Sequence, residues 1–254
     1  MIRTIIVLLY FSLAMLLVLP VLVLWTILSG NANFMYHVFV QYGLRIGLRI
    51  AGIGVHVEGL ENIPAGVCIF ASNHASNLDP VALTPQIPRR VALLAKKEVF
   101  RIPVLAKAIR LAKLVPVDRG DSEAAAESVD TAIKYLKEGL SFCVYPEGTR
   151  SRDGHLLPFK RGTFVMAIRA GVPVVPVSLA GTQNLMRKGD WKIYPGEVVV
   201  KFGPPIDAAG YKTEQREELR QRVQDLVAAG LPDDQKPLAD SASATAAGAT
   251  NRAK

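Results

Sequence analysis

Apolar positions fall into two regimes along this chain. From Thr4 to Ser29 there are 26 consecutive residues without a charge, mostly Leu, Val and Ile. Beyond about Val55, short apolar runs alternate with amphipathic stretches. The runs at 56–58, 67–71, 90–94, 141–145, 172–179 and 197–202 predict strands, and 114–117 is a further apolar run. Pro173 and Pro176 within the run at 172–179 argue for an edge strand or a bulge. Helical spacing predicts a short helix from Pro80 and longer ones over 121–139, 162–170 and 213–229. The helix over 121–139 turns Ala125, Val129, Ala132, Ile133 and Leu136 to one face and ends at Gly139. Strands alternating with helices predict an α/β fold with a single mixed, mainly parallel sheet flanked by helices. The expected organisation is an anchoring segment at 1–54, a domain at 55–230, and a tail at 231–254 too poor in bulky residues to fold.

As a helix, the uncharged run would be ~39 Å long, against a hydrocarbon core of ~30 Å. It can therefore span a bilayer, or kink at Pro20 and re-enter the same leaflet. It exceeds the usual apolar core of a signal peptide, and no A-x-A site follows it. An N-terminal hydrophobic membrane-anchoring helix is the expectation. Residues 33–51 add Phe34, Tyr36, Phe39 and Tyr42, then Arg45 and Arg49. Such a stretch suits a helix in the membrane interface or an ordinary helix packed on the domain. The placement of arginines favours a cytoplasmic body on the inner membrane.

The net charge of +8 points to anionic partners. The basic residues are not interleaved with aromatics and no nucleic-acid motif is present, so the expectation is membrane lipid and small anionic ligands, not nucleic acid. Cys68 and Cys143 lie inside apolar runs with no metal-ligand spacing and read as core residues; no metal is expected.

Polar turns after the strands carry the candidate chemistry. Asn73-His74-Ala75-Ser76-Asn77-Leu78-Asp79 follows the run at 67–71 and sets His74 and Asp79 five positions apart. A carboxylate that fixes an imidazole tautomer makes an oriented general base, and an ordinary imidazole, with a pKa of ~6.5, can take and release a proton near neutrality. Asp79 before Pro80 is equally the start of a helix. Asp118-Arg119 ends the run at 114–117, and the arginine's planar fork suits a phosphate or a surface ion pair. Tyr145-Pro146-Glu147-Gly148-Thr149-Arg150-Ser151 follows a buried strand. Gly148 permits a tight turn and close ligand approach there, while Glu147 can pair with Arg150 or Arg152. Lys96 ends a strand-like run and could lend charge to a phosphate.

These segments, in this order, resemble the motifs of the glycerolipid acyltransferase family, and within it most resemble the bacterial 1-acyl-sn-glycerol-3-phosphate (lysophosphatidic acid) acyltransferases. His74 and Asp79 match the His-x4-Asp motif, Asp118 and Arg119 the second, Tyr145 to Ser151 the third, and the valine-proline run from Val172 to Val177 the fourth. The second motif often opens with a glycine, which is absent near Ala112 and Lys113.

The resemblance implies direct acyl transfer from acyl-CoA or acyl-carrier protein to the free hydroxyl of lysophosphatidic acid, with no cofactor and no acyl-enzyme. It implies His74 as general base, Asp79 as its orienter, and Lys96, Arg119, Glu147, Gly148, Thr149 and Arg150 around the acceptor. Other acceptors stay open: glycerol 3-phosphate, another lysophospholipid or a lyso-ornithine lipid. So do a thioesterase and a non-catalytic lipid-binding protein.

Overall fold

The structure, a computed structural model, describes residues 1–118, 122–187 and 189–238. Its centre is a seven-stranded sheet in the order β1-β7-β6-β2-β5-β3-β4. The strands are β1 (Ile53–Glu58), β2 (Ile69–Ser72), β3 (Val91–Lys96), β4 (Val115–Val117), β5 (Ser141–Val144), β6 (Val174–Ala180) and β7 (Gly196–Phe202). Every neighbouring pair is parallel except β6 and β7. β2 and β5 are buried along their whole length, as continuous apolar runs covered on both faces should be.

The helices are α1 (Ile2–Ser29), α2 (residues 33–51), α3 (Asp79–Leu83), α4 (Pro103–Leu111), α5 (Ser122–Lys137), α6 (Gly162–Ala170), α7 (Thr182–Leu185) and α8 (Arg216–Ala229). One apolar layer joins the sheet to α5, α6 and α8 through Ile133, Leu136, Phe164, Met166, Leu219 and Val223. The other joins it to α2 and α3 through Leu48, Ala51, Ala82 and Leu83.

The proline-bearing strand is not at an edge. β6 lies between β2 and β7, in register with Ala71–Ser72 on one side and pairing with 199–202 on the other. Val174 exchanges both backbone hydrogen bonds with Ile206, and the Gly203 N–H donates to the Pro176 carbonyl. Even-numbered residues of β6 at this end therefore face the β7 side. The N–H that Pro176 lacks falls opposite Gly203–Pro205, where the ladder is already interrupted.

α1 and α2 form a helical hairpin joined at Gly30, whose φ of 67° closes the first helix. Over Ala14–Val18 the first helix widens to a π-turn just before Pro20, whose missing N–H leaves the preceding turn without its usual donor. α2 is packed, not free. The Phe11 ring lies against Gly47, the Tyr10 hydroxyl donates to the Gly43 carbonyl at 2.9 Å, and the Arg45 guanidinium donates to Pro85. α1 touches the domain twice, at Ile193 through Thr4 in its first turn and at Ala108 of α4 through Leu19 and Leu22 in its second half. Its outer face, including Ile5, Leu9, Leu13, Leu16, Leu24 and Leu28, is exposed.

The chain does not leave the body at Gly230, where the tail was expected to begin. Leu231 is buried, and the Gln235 carbonyl accepts from the Leu156 N–H at 2.9 Å. Buried Leu231 and Gln235, with the His155 ring at the Lys236 carbonyl, hold this stretch, which composition alone does not reveal. Residues 239–254 lie outside the described residues.

Candidate active site

β6, β2 and β5 are adjacent and parallel, so their carboxyl ends deliver three turns to one edge of the sheet. This edge is where open α/β sheets place their ligands. The turn after β2 carries His74, that after β5 carries Tyr145–Ser151, and that after β6 carries Thr182. Asn73 joins the first to the third: its amide nitrogen donates to the Leu179 carbonyl and its oxygen accepts from the Leu179 N–H, both at 2.8 Å. A side chain thus continues the ladder where the strand has ended.

His74 is fixed on several sides. Its Nδ1 lies 2.6 Å from Asp79 Oδ2, so the network assigns the Nδ1–H tautomer and leaves Nε2 as the acceptor. The Tyr145 ring stacks on the imidazole, with centroids 4.3 Å apart and planes 24° from parallel. The His74 N–H donates to Glu147 Oε1 at 2.6 Å, and its carbonyl accepts from the Ser151 N–H at 2.8 Å. Asp79 is fully buried and saturated with donors. Oδ2 also accepts from the Ala75 and Ser76 N–H groups, at 2.7 and 2.8 Å, and Oδ1 accepts from the Thr182 hydroxyl at 2.5 Å. A buried carboxylate requires such partners. Asp79 is the first residue of α3 but does not cap it: Leu78 holds the cap position, and the carboxylate bonds back to His74 and the Ala75 and Ser76 N–H groups instead of into the helix.

The other expected site residues divide. Glu147 faces inward rather than toward a ligand or an arginine: it is 2 % exposed and bonds the His74 backbone. Burial pushes its carboxyl up to about 8, against the lowering effect of the His74 and Leu157 N–H groups. Gly148 has φ 70°, and its bare face lies against the Lys160 side chain, a cation the sequence reading missed. Thr149 is exposed and Arg150 partly buried on the same turn. Lys96 is exposed, 3.7 Å from Glu98. Neighbouring Lys97 pairs with Asp118 of the second motif, and Arg119 lies outside the described residues. Cys68 and Cys143 are buried, and burial raises their thiols to about 11 and about 12. Neither supplies a thiolate at neutral pH. Among the described residues no cluster of metal-ligating side chains occurs.

Beside His74 opens an apolar cavity of about 430 Å³. The hairpin walls it with Leu19, Tyr36 and Phe39, the sheet with Leu93, and α4 with Ala108 and Ile109. His74, Tyr145 and Lys96 also line it. The site thus joins a single oriented base to an apolar cavity and a cationic side chain.

The family model described as "Acyltransferase" matches residues 54–180, which hold β2 to β6, all of β1 but Ile53, and the His74–Asp79 pair with Tyr145 and Glu147. This chain belongs to the acyltransferase family. It is 36% identical over 215 residues to a 1-acyl-sn-glycerol-3-phosphate acyltransferase of Limnanthes douglasii, covering 83% of this chain and 73% of that one. It is 30% identical to the enzyme of the same name from Pseudomonas aeruginosa, covering 76% and 74%. The crystal structure of the 1-acyl-sn-glycerophosphate (LPA) acyltransferase PlsC from Thermotoga maritima superposes with a TM-score of 0.77 at 33% identity, over 90% of this chain and 95% of that one. The mixed sheet and flanking helices are therefore a fold found in this family.

Sequence reasoning missed Thr182, the Tyr145 stack, Asn73's ladder role and Lys160. Only Thr182 had a usable signal: a hydroxyl directly after a strand that the fourth motif already marked.

Proposed function

We propose that this acyltransferase esterifies the free hydroxyl of lysophosphatidic acid with a fatty acyl group from acyl-CoA or acyl-carrier protein, making phosphatidic acid. The observation that carries the reading is the placement of His74, held by Asp79, at the wall of the apolar cavity. The named relatives act on that acceptor.

In this mechanism Nε2 of His74 takes the proton from the acceptor hydroxyl as its oxygen attacks the thioester carbonyl. Asp79 stabilises the resulting imidazolium. The tetrahedral intermediate expels the thiolate as the C–S bond breaks, and the imidazolium returns the proton to sulfur. The cavity receives the acyl chain. Arg150, Lys96 and Arg119 hold the acceptor phosphate. Glu147 and Gly148 shape the turn that carries Arg150 and brace His74. No step calls for a cofactor.

The α1–α2 hairpin associates with the bilayer. Contacts of α1 with the domain at Thr4 and at Leu19 and Leu22 favour the re-entrant placement, with α1 in one leaflet and its exposed apolar face in the lipid. The cytoplasmic leaflet of the inner membrane suits a thioester donor made in the cytoplasm.

The test is an acyl-transfer assay with a labelled thioester and lysophosphatidic acid, glycerol 3-phosphate, lysophosphatidylcholine, lyso-ornithine lipid or water as acceptor. Phosphatidic acid formed from lysophosphatidic acid, and lost in a folded His74→Ala variant, is the expected result. Product from another acceptor alone would move the substrate, and acceptor-independent fatty acid would make the protein a thioesterase.

A further inference from the structure

The loop between α7 and β7, residues 186–195, has no part in the reaction as drawn. It is nonetheless tied to both functional ends of the molecule. The Ser76 hydroxyl of the histidine motif donates to the Met186 carbonyl at 2.7 Å. At the other end, the Ile193 N–H donates to the Thr4 hydroxyl at 3.1 Å, in the first turn of α1. Arg3 and Pro195 both lie against the open face of Gly52.

Two large aromatics of this loop face outward: Trp191 is 52% exposed and Tyr194 47%. Single exposed apolar residues need no explanation. Here, however, the loop is tied through Ile193 to Thr4, in the first turn of an apolar helix whose Ile2 and Ile5 are also exposed. Arg187 and Lys192 belong to the same loop as the aromatics, and Arg3 meets the loop's Pro195 at Gly52. Two carboxylates lie close by in the chain: Asp190 folds back on the loop, accepting from the Lys192 N–H at 2.9 Å, and Glu197 pairs with His56 at 3.0 Å, which leaves three cations, Arg3, Arg187 and Lys192, against one loop carboxylate. Amphipathic rings among cations match the composition of a bilayer's headgroup layer, where indole and phenol rings keep one edge wet.

We propose that the described part of this loop, which carries Trp191 and Tyr194, is a second membrane-contacting element. It rests in the headgroup layer of an anionic bilayer beside the start of α1. Trp191 and Tyr194 sit at the boundary with the acyl chains, and Arg3, Arg187 and Lys192 meet lipid phosphates. Through Ser76, this contact fixes the depth at which the histidine motif meets its lipid acceptor. The inference rests on the membrane association proposed above.

The chain has two tryptophans, Trp25 on α1 and Trp191 on the loop, so single-tryptophan proteins separate the two ideas. Trp25→Phe reports the loop and Trp191→Phe reports the helix. Each full-length variant is mixed with vesicles of phosphatidylcholine and phosphatidylglycerol whose acyl chains carry bromine at a shallow or a deep carbon. The expected result is loss of Trp191 emission to shallow bromine, and roughly three- to tenfold weaker vesicle binding by Trp191→Ala/Tyr194→Ala. Activity of that double variant on detergent-dispersed substrate should stay unchanged. Quenching of Trp25 with Trp191 unaffected would overturn the loop proposal and leave the hairpin reading intact. Quenching of neither would overturn both.

Discussion

Thr182 offers the most direct test of how the catalytic pair is held. Its hydroxyl donates to Asp79 Oδ1 at 2.5 Å, and both residues are fully buried. Thr182→Val keeps the volume and removes only the donor, so no cavity term enters. A hydrogen bond to a charged acceptor is worth about 1.5–3 kcal/mol, and water cannot replace it in this dry position. Asp79 retains His74 and two backbone donors, so the fold survives with a Tm lower by about 3–10 °C. Freed on one side, the carboxylate holds the imidazole less firmly, and kcat should fall about tenfold to a hundredfold. Thr182→Ser, which keeps the hydroxyl, should recover most of both losses. The decisive measurement is a double-mutant cycle with Asp79→Ala, read in kcat and in melting temperature. If Thr182→Val costs as much without Asp79 as with it, the threonine does not act through the carboxylate and the reasoning fails.

Three further outcomes follow from the same geometry. Glu147 has a folded-state value of about 8 against 4.5 for an ordinary glutamate. A raised folded value means that its contribution is fully present below about 4.5 and lost as pH rises to about 8. Wild-type melting temperature should therefore decline across that window, Glu147→Gln should flatten the decline, and an equal decline in both proteins would refute the assignment. Gly148→Ala should destabilise by about 1–2 kcal/mol, because φ is 70° there; the Lys160 side chain can move aside, so an unchanged denaturant midpoint would contradict the strain argument. Arg150→Ala should raise the KM for lysophosphatidic acid about tenfold with kcat little altered, and an unchanged KM would remove it from the phosphate site.

The sequence announces the centre of the sheet because β2 and β5 are short, wholly buried, apolar but for one terminal serine each, and followed by polar turns. It misleads at β6. Proline usually marks an edge because it cannot donate, yet the donor lost at Pro176 falls where the neighbouring ladder is interrupted. That interruption depends on Gly203–Pro205, almost thirty residues downstream, and no local rule reports it. The single antiparallel pair, β6 with β7, is likewise a matter of connection and not of composition.

The site follows the same division between local and distant. His74 and Asp79 are readable because both lie on one turn and their spacing is itself the chemistry. Thr182 lies 103 positions away and reaches Asp79 only because β6 pairs with β2. Glu147 looks like a ligand-facing carboxylate in the sequence, but β5 pairs with β2 and sets it against the His74 N–H, which has left the ladder and needs an acceptor. Parallel pairing thus converts a substrate-like motif residue into a brace for the base. The polar residues that trail adjacent parallel strands hold one another before they hold a substrate. In such a sheet, a hydroxyl or carboxylate directly after a strand should first be tried as a partner for the turn next door.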